Sequence, residues 1–430
     1  MRSLMNSRRA FLILLLCIAT CSSGWAQSGS KPKVRAITAF VHIDRSHYQE
    51  QIQDALKVLR SAKAAYEKEG YEVETIRITT QPFPDYVRGM TEDEALALFK
   101  ALDDLSVKEK FLPNVGPAML ADNDDHNNVN ILQKALSTLP NIEGSIIVAG
   151  EDGVHWKAVS ATAALVKYVA EHSPHSQGTF NFTATAMLAP YGPFFPGSYH
   201  LGSGHQFSVG LESANVVDEV FASVTRERGA VDKHFSSPED ATQQALKPLI
   251  EALSKHAVAC EAIAKKVAEA SGWSYAGLDP TPAPLAKVSI GAAIEKLTGR
   301  KFGSSGTLTA AAVITRAVQA VPVKRVGYSG LMVPVMEDST LAQRWAENAI
   351  NIDSLLAYSA VCGTGLDTIP LPGDVTEEQM ARIIGDMASL AFKWKKPLSA
   401  RLQPVTGKKA GEKTEFDDPF LTNTLIQKLP

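Results

Sequence analysis

A chain of 430 residues that is 45% hydrophobic and 21% charged has ordinary globular composition, with no internal repeat and no low-complexity segment. Its formal charge is −3 and it carries no Lys/Arg-rich patch, so nucleic acid is not an expected partner. Taken in chain order, the first segment is "MRSLMNSRRAFLILLLCIATCSSGWAQ". It has a basic start (Arg2, Arg8, Arg9), then an apolar run of eleven residues, Ala10 to Thr20, too short to span a bilayer. Small residues at Gly24 and Ala26 suit a signal peptidase, so residues 1–26 are expected to be a cleaved leader and the protein to be periplasmic or secreted. "SRRAFLI" is similar to the twin-arginine export signal, the alternatives being an ordinary secretory signal or, more weakly, a lipoprotein box at Cys21. Loss of three arginines and no acid takes the formal charge from −3 to −6. Cys17 and Cys21 leave as well. Cys260 and Cys362 remain, not spaced as a metal motif, and whether they pair is open.

A linker at 27–33 leads to "VRAITAFVHI" (34–43), an alternating β-branched strand. A helix over 48–70 stops at Gly70, and a second strand covers 71–80. This strand–helix–strand unit favours parallel pairing through a right-handed crossover. The alternation continues with a helix at 91–110 capped by Thr91 and Glu94, a helix at 130–141 and a strand at 144–150. A helix at 156–173, strands at 178–188 and 205–213, and a long helix at 237–272 containing Pro248 follow. "GLMVPV" reads as a strand, "MEDSTLAQRWAENAINIDSLLAYSA" as one helix and "GLDTIPLP" as an extended segment. A last helix begins after Thr376, with Gln379 at its third position. The pattern predicts an α/β fold of mainly parallel strands alternating with helices, with residues 34–430 as one domain ending in an extended tail.

No phosphate-binding loop, G-x-S-x-G or H-E-x-x-H motif is present. The candidate chemistry lies in loops and at strand ends. "AVCGTGLDTIPLPGDVTEE" (360–378) places Cys362 and Asp367 at the start of an extended segment and Asp374 at its exit, where open α/β folds bind ligands. Glu337 and Asp338 follow a strand and fit acid–base work, cation binding or helix capping equally well. His200, in the glycine-rich "GSYHLGSG" after "APYGPFFPGSY", is a candidate proton shuttle, and His205 a weaker one. "KRVGYSG" (324–330) is one residue short of a glycyl-radical loop and is read as a turn.

"SGLMVPVMEDS", "LDPTPAP" (278–284) and the block from Cys362 to Phe416 resemble the bacterial and archaeal family known as domain of unknown function 711. "VRAIT", "FLPNVGPAML" and "APYGPFFPGSYHLGSG" are looser matches. The resemblance implies an α/β barrel of about ten strands, like that of pyruvate formate-lyase but without radical chemistry. It implies no particular activity. By motif, the family's recurring polar positions fall on His200, Glu337, Asp338, Cys362, Asp367, Asp374 and Arg401. Leu188 and "LESANVV" (211–217) depart from the family pattern and place a shared substrate in doubt. The resulting expectation is an exported enzyme acting on a small polar molecule at the carboxyl ends of the strands. Asp367, Asp374, Glu337 and His200 would be its catalytic groups. A divalent cation is a candidate cofactor, with Asp338, Glu337 and Asp367 as its ligands. The alternative is a non-enzymatic binding or scaffold protein on an inherited enzyme barrel. No integral membrane span is expected after residue 26.

Overall fold

The computed structural model describes residues 31–231 and 238–429, so the expected leader lies outside the described residues. Among the described residues ten strands alternate with helices. They are β1 (Lys33–Val41), β2 (Val73–Thr80), β3 (Leu112–Pro117), β4 (Glu143–Gly150) and β5 (Gly153–Val154). Then come β6 (Phe182–Ala186), β7 (Gln206–Glu212), β8 (Ser274–Asp279), β9 (Gly365–Pro372) and β10 (Leu398–Val405). They form one sheet in the order β8-β7-β1-β2-β3-β4-β6-β10-β9, with β5 paired to β4. The strands β1, β2, β3, β4 and β6 are mutually parallel. Strands β7 and β8 run antiparallel to them at one end, and β10 and β9 at the other. The mixed α/β fold, mostly parallel and alternating with helices, is the one the sequence pattern predicts.

The sheet curls. The strands β1 and β10 are five steps apart, roughly 24 Å on a flat sheet at the usual strand spacing. Yet Arg35 of β1 and Arg401 of β10 both reach the Glu337 carboxylate. The segment holding Glu337 spans the gap between the end strands. It meets β8 through a parallel Leu278–Arg325 bridge and β9 through a parallel Pro334–Asp367 bridge. "GLMVPV" thus makes isolated bridges instead of a full strand. Its start is pressed against the chain after Cys362: a Cβ on Gly330 would lie 2.6 Å from the Gly363 Cα.

Outside the sheet, helices bury apolar faces. Tyr66, Phe83, Phe99, Phe221 and Trp345 are fully buried, and each such burial stabilises by roughly 1.5–3 kcal/mol. Helix starts follow their local chemistry: Thr91 with Glu94, and Thr376 with Gln379, form capping boxes. The single helix expected over 336–360 is two helices, Ser339–Ala346 and Ile352–Ser359. Asn348 turns left-handed (φ 56°) and Asn351 caps the second helix, which outweighs the continuous apolar spacing. The long helix Pro238–Ser271 includes Pro248.

Inside the sheet lies polar chain. The loop 187–205 leaves β6 and returns to β7 at the end of the molecule where β1 finishes. It then descends along the strands. Thr38 donates to the Pro193 carbonyl (2.8 Å), Asn114 to the Pro196 carbonyl (2.7 Å), and Thr79 pairs with Ser198 (2.8 Å). Leu188 and Phe194 join Ala283, Tyr328 and Met332 in a small apolar cluster separate from the main core. The expected C-terminal tail folds back: Thr414 and Thr424 pair, Thr422 donates to the Met336 carbonyl, and Gln427 donates to Trp345 and Ile350. Among the described residues, no helix is long and apolar enough to cross a membrane.

Candidate functional site

The loop tip and the surrounding strands enclose a cavity of about 90 Å³. Arg35, Arg77, Arg401, Glu143, Glu337 and Asp367 supply its charges, and Phe180, Phe194, Phe195, Tyr328 and Phe420 much of its apolar wall. Two register shifts aim the charges inward. Arg35 is the extra residue of β1 where its pairing with β7 slips between Val34 and Ala36. Asp367 and Thr368 stand opposite Arg401 alone where β9 and β10 slip, and Thr368 has φ 48°. A bulge re-aims a side chain at the cost of a ladder bond, a common device beside binding sites.

Glu337 is the hub. One oxygen accepts from Arg35 Nη2 (3.0 Å) and the other from Arg401 Nη1 (2.8 Å). Arg35 also binds Glu74 (3.1 Å) and Glu212 (2.9 Å). Arg401 donates twice to the Phe180 carbonyl (2.9 and 2.6 Å), lies over the Phe180 ring and stands 3.6 Å from Asp367. Burial, reinforced by the Glu337 charge and opposed by Arg401, pushes the Asp367 carboxyl up to about 6. Burial raises Glu143 to about 7 and Glu212 to about 8, against the pull of Arg77 and Arg35 respectively. These groups are therefore poised to change protonation near neutrality.

Of the residues singled out in the sequence, only Glu337, Asp367 and Arg401 meet here. Asp338 points elsewhere, because successive residues of an extended segment face opposite ways. Its carboxylate accepts from Ser289 Oγ (2.6 Å) and from the amides of Ile290, Gly291, Thr340 and Leu341, capping two helices at once. Asp374 is exposed in the turn after β9, seven residues beyond Asp367 and so up to roughly 23 Å from it. His200 sits at the other end of β1, where Nε2 meets the Val41 carbonyl (3.1 Å), and burial drives its pKa down to about 4. A neutral, enclosed imidazole there does not shuttle protons to Asp367. His205 lies outside the cavity, 4.0 Å from Asp54. Cys362 and Cys260 are buried and unpaired. The residues offered as cation ligands do not converge: Asp338 is consumed as a cap, and Glu337 is held between guanidinium groups. Among the described residues no three His, Cys, Asp or Glu side chains gather around one point. The cavity also lies toward the amino-terminal halves of the parallel strands, at Arg35, Glu143 and Thr183, not at their carboxyl ends.

Arg35, Arg77, Glu143, Phe195 and Phe420 also line the cavity, and none of them stands in a motif that marks a site. One signal was available. "VRAIT" and "TIRITT" each set an arginine in a strand otherwise made of buried residue types, and a charge in such a run must have a partner or a ligand.

The fold and the cavity define an α/β protein whose curled, mostly parallel sheet encloses a charge-paired polar chamber. The chain belongs to the family described as Uncharacterised ACR (DUF711), whose model matches residues 28–417. It is 30% identical to a UPF0210 protein of Pyrobaculum aerophilum over 85% of this chain and 81% of that one. It is 28% identical to a UPF0210 protein of Carboxydothermus hydrogenoformans, over 84% and 80%. A UPF0210 protein of Listeria monocytogenes is 24% identical, over 86% and 82%.

Proposed function

We propose that the protein is an enzyme acting on a small polar molecule held in this cavity, with Asp367 as the group that takes and returns a proton. The observation that carries the reading is the buried Asp367 beside the Arg35–Glu337–Arg401 bridge, with its carboxyl raised to about 6. A base serves best when its pKa lies near the working pH. Arg401 would stabilise negative charge developing on the substrate, and Glu337 would hold both arginines in place. The test is turnover of pooled small metabolites by the full chain, followed by mass spectrometry. Asp367→Asn should abolish any conversion without lowering the melting temperature below that of the parent at neutral pH. Conversion that survives Asp367→Asn would refute the assignment.

A second reading is a binding protein on the same scaffold. It is favoured by Leu188, which seals the loop into an apolar cluster. Ligand binding without turnover, equal in parent and Asp367→Asn, would select it. The same proposal holds that the chain is exported, with residues 34–430 as one domain. It rests on the leader-like sequence before Gln27. An intact mass beginning at Gln27 supports export, and a mass beginning at Met1 or a lipidated Cys21 refutes that route.

A further inference from the structure

Arg77 is the charge on the cavity wall that the Glu337 bridge leaves unexplained. It lies in the middle of β2, opposite Thr38 of β1 on one side and Leu112 of β3 on the other. The residue is 7% exposed. Its Nε donates to Thr75 Oγ1 (2.9 Å), and its guanidinium lies 5.0 Å from the centre of the Phe195 ring. Among the described residues it makes no ion pair, in contrast to Arg35 and Arg401. Burying an unpaired guanidinium carries a penalty of several kcal/mol, and burial accordingly drives its pKa down to about 10. The acid acting on it most strongly is Glu143, partly exposed to the same cavity and itself raised to about 7. On the opposite side of the curled sheet, Thr364 is 1% exposed and its hydroxyl has no hydrogen-bond partner. It lines the cavity together with Asp367.

We propose that the cavity takes a small organic carboxylate, its carboxylate group held by the Arg77 guanidinium against Phe195 and a further oxygen function turned toward Thr364 and Asp367. The planar fork of a guanidinium fits a carboxylate with two parallel hydrogen bonds, which a tetrahedral oxyanion or a neutral amide does not match as well. The aromatic wall suits a short carbon chain. The volume of about 90 Å³ corresponds to a handful of waters, hence to a molecule of few heavy atoms. This inference rests on the cavity being the functional site proposed above and names the chemical class of what enters it.

The test uses the full chain with acetate, propanoate and 2-hydroxypropanoate as probes. Acetamide and propanamide are neutral isosteres, and inorganic phosphate is the tetrahedral control. Calorimetry and thermal shift should show the carboxylates binding and raising the melting temperature with concentration, the amides not. The hydroxy acid should bind at least threefold tighter than propanoate. Arg77→Gln should weaken carboxylate binding at least tenfold, and Arg77→Lys by less. If Arg77→Gln does not fold, Glu143→Gln replaces it: removing the competing carboxylate should tighten binding, most at pH 8. Equal binding of amide and acid, tighter binding of phosphate, or binding that ignores both variants would overturn the proposal. A neutral metabolite that turns over while no carboxylate binds would sink this inference and leave the enzyme reading standing. Carboxylate binding through Arg77 without turnover of any metabolite would do the reverse.

Discussion

Glu337→Gln tests the centre of the site. The substitution keeps side-chain volume but removes the charge shared by Arg35 and Arg401, and it turns an amide NH2 toward a guanidinium. Arg35 retains Glu74 and Glu212. Among the described residues Arg401 keeps the Phe180 carbonyl and ring but no carboxylate nearer than Asp367 at 3.6 Å, so the loss falls on Arg401. Removing one partner of a buried pair costs about 3–5 kcal/mol. Part is recovered: Glu337 is the largest charge opposing ionisation of Asp367, so without it Asp367 ionises more readily and becomes the partner of Arg401. The lower end, about 3 kcal/mol, is therefore expected at neutral pH. For 430 residues the entropy of unfolding is about 0.9 kcal/mol/K, so the melting temperature should fall by about 3 °C. Chemical denaturation reads the free energy, and carboxyl-carbon NMR of labelled aspartate reads the second effect, an Asp367 pKa moved below about 6. Stability unchanged within about 0.5 kcal/mol, with Asp367 titrating as in the parent, would show that the bridge is not the organising contact.

Asp367 and Asp279 are both raised by burial from 3.8 to about 6, so the folded state holds more protons than the unfolded state between those values. Stability is therefore greatest below about pH 4 as far as these two groups are concerned, and it falls as pH rises to about 6, by up to roughly 3 kcal/mol each. Denaturation midpoints of Asp279→Asn should show a flatter fall over that window, and an unchanged slope would contradict the assignment. Asp338→Ala uncaps two helices and should cost about 2–4 kcal/mol, measured by urea unfolding; a loss under about 0.5 kcal/mol would refute the double cap. Cys362 is 1% exposed, and burial raises Cys260 to about 12, so neither should react with iodoacetamide in the native protein at neutral pH, with labelling read by mass spectrometry. Rapid native labelling of Cys362 would promote it to a reactive group.

Much of the frame is legible in the sequence. Apolar spacing and capping residues mark the helices after Thr91 and Thr376, because these signals are local: the donor and acceptor lie three residues apart. Strand β3 is disguised by Pro113, Gly116 and Pro117, residue types that strands disfavour, and it exists because its neighbours β2 and β4 supply the ladder. The motif around Asp367 is visible as a stiff polar turn, and Glu337 as an acid after a strand. Nothing local joins them to Arg35, which is 302 residues from Glu337. Curling of the sheet makes that contact, and the register slips at Arg35 and Asp367 aim the side chains, both consequences of how distant strands pair. The same cause separates Asp374 and His200 from Asp367 and turns Asp338 into a cap: an extended strand carries nearby sequence positions to opposite ends and opposite faces. Sequence alone marks the helices with strong local caps, most of the strands, and the segments that carry charge. Tertiary structure decides which charges share a cavity, because Coulomb attraction and desolvation act on distance through space, and that distance is set only when the sheet curls and its strands take their register.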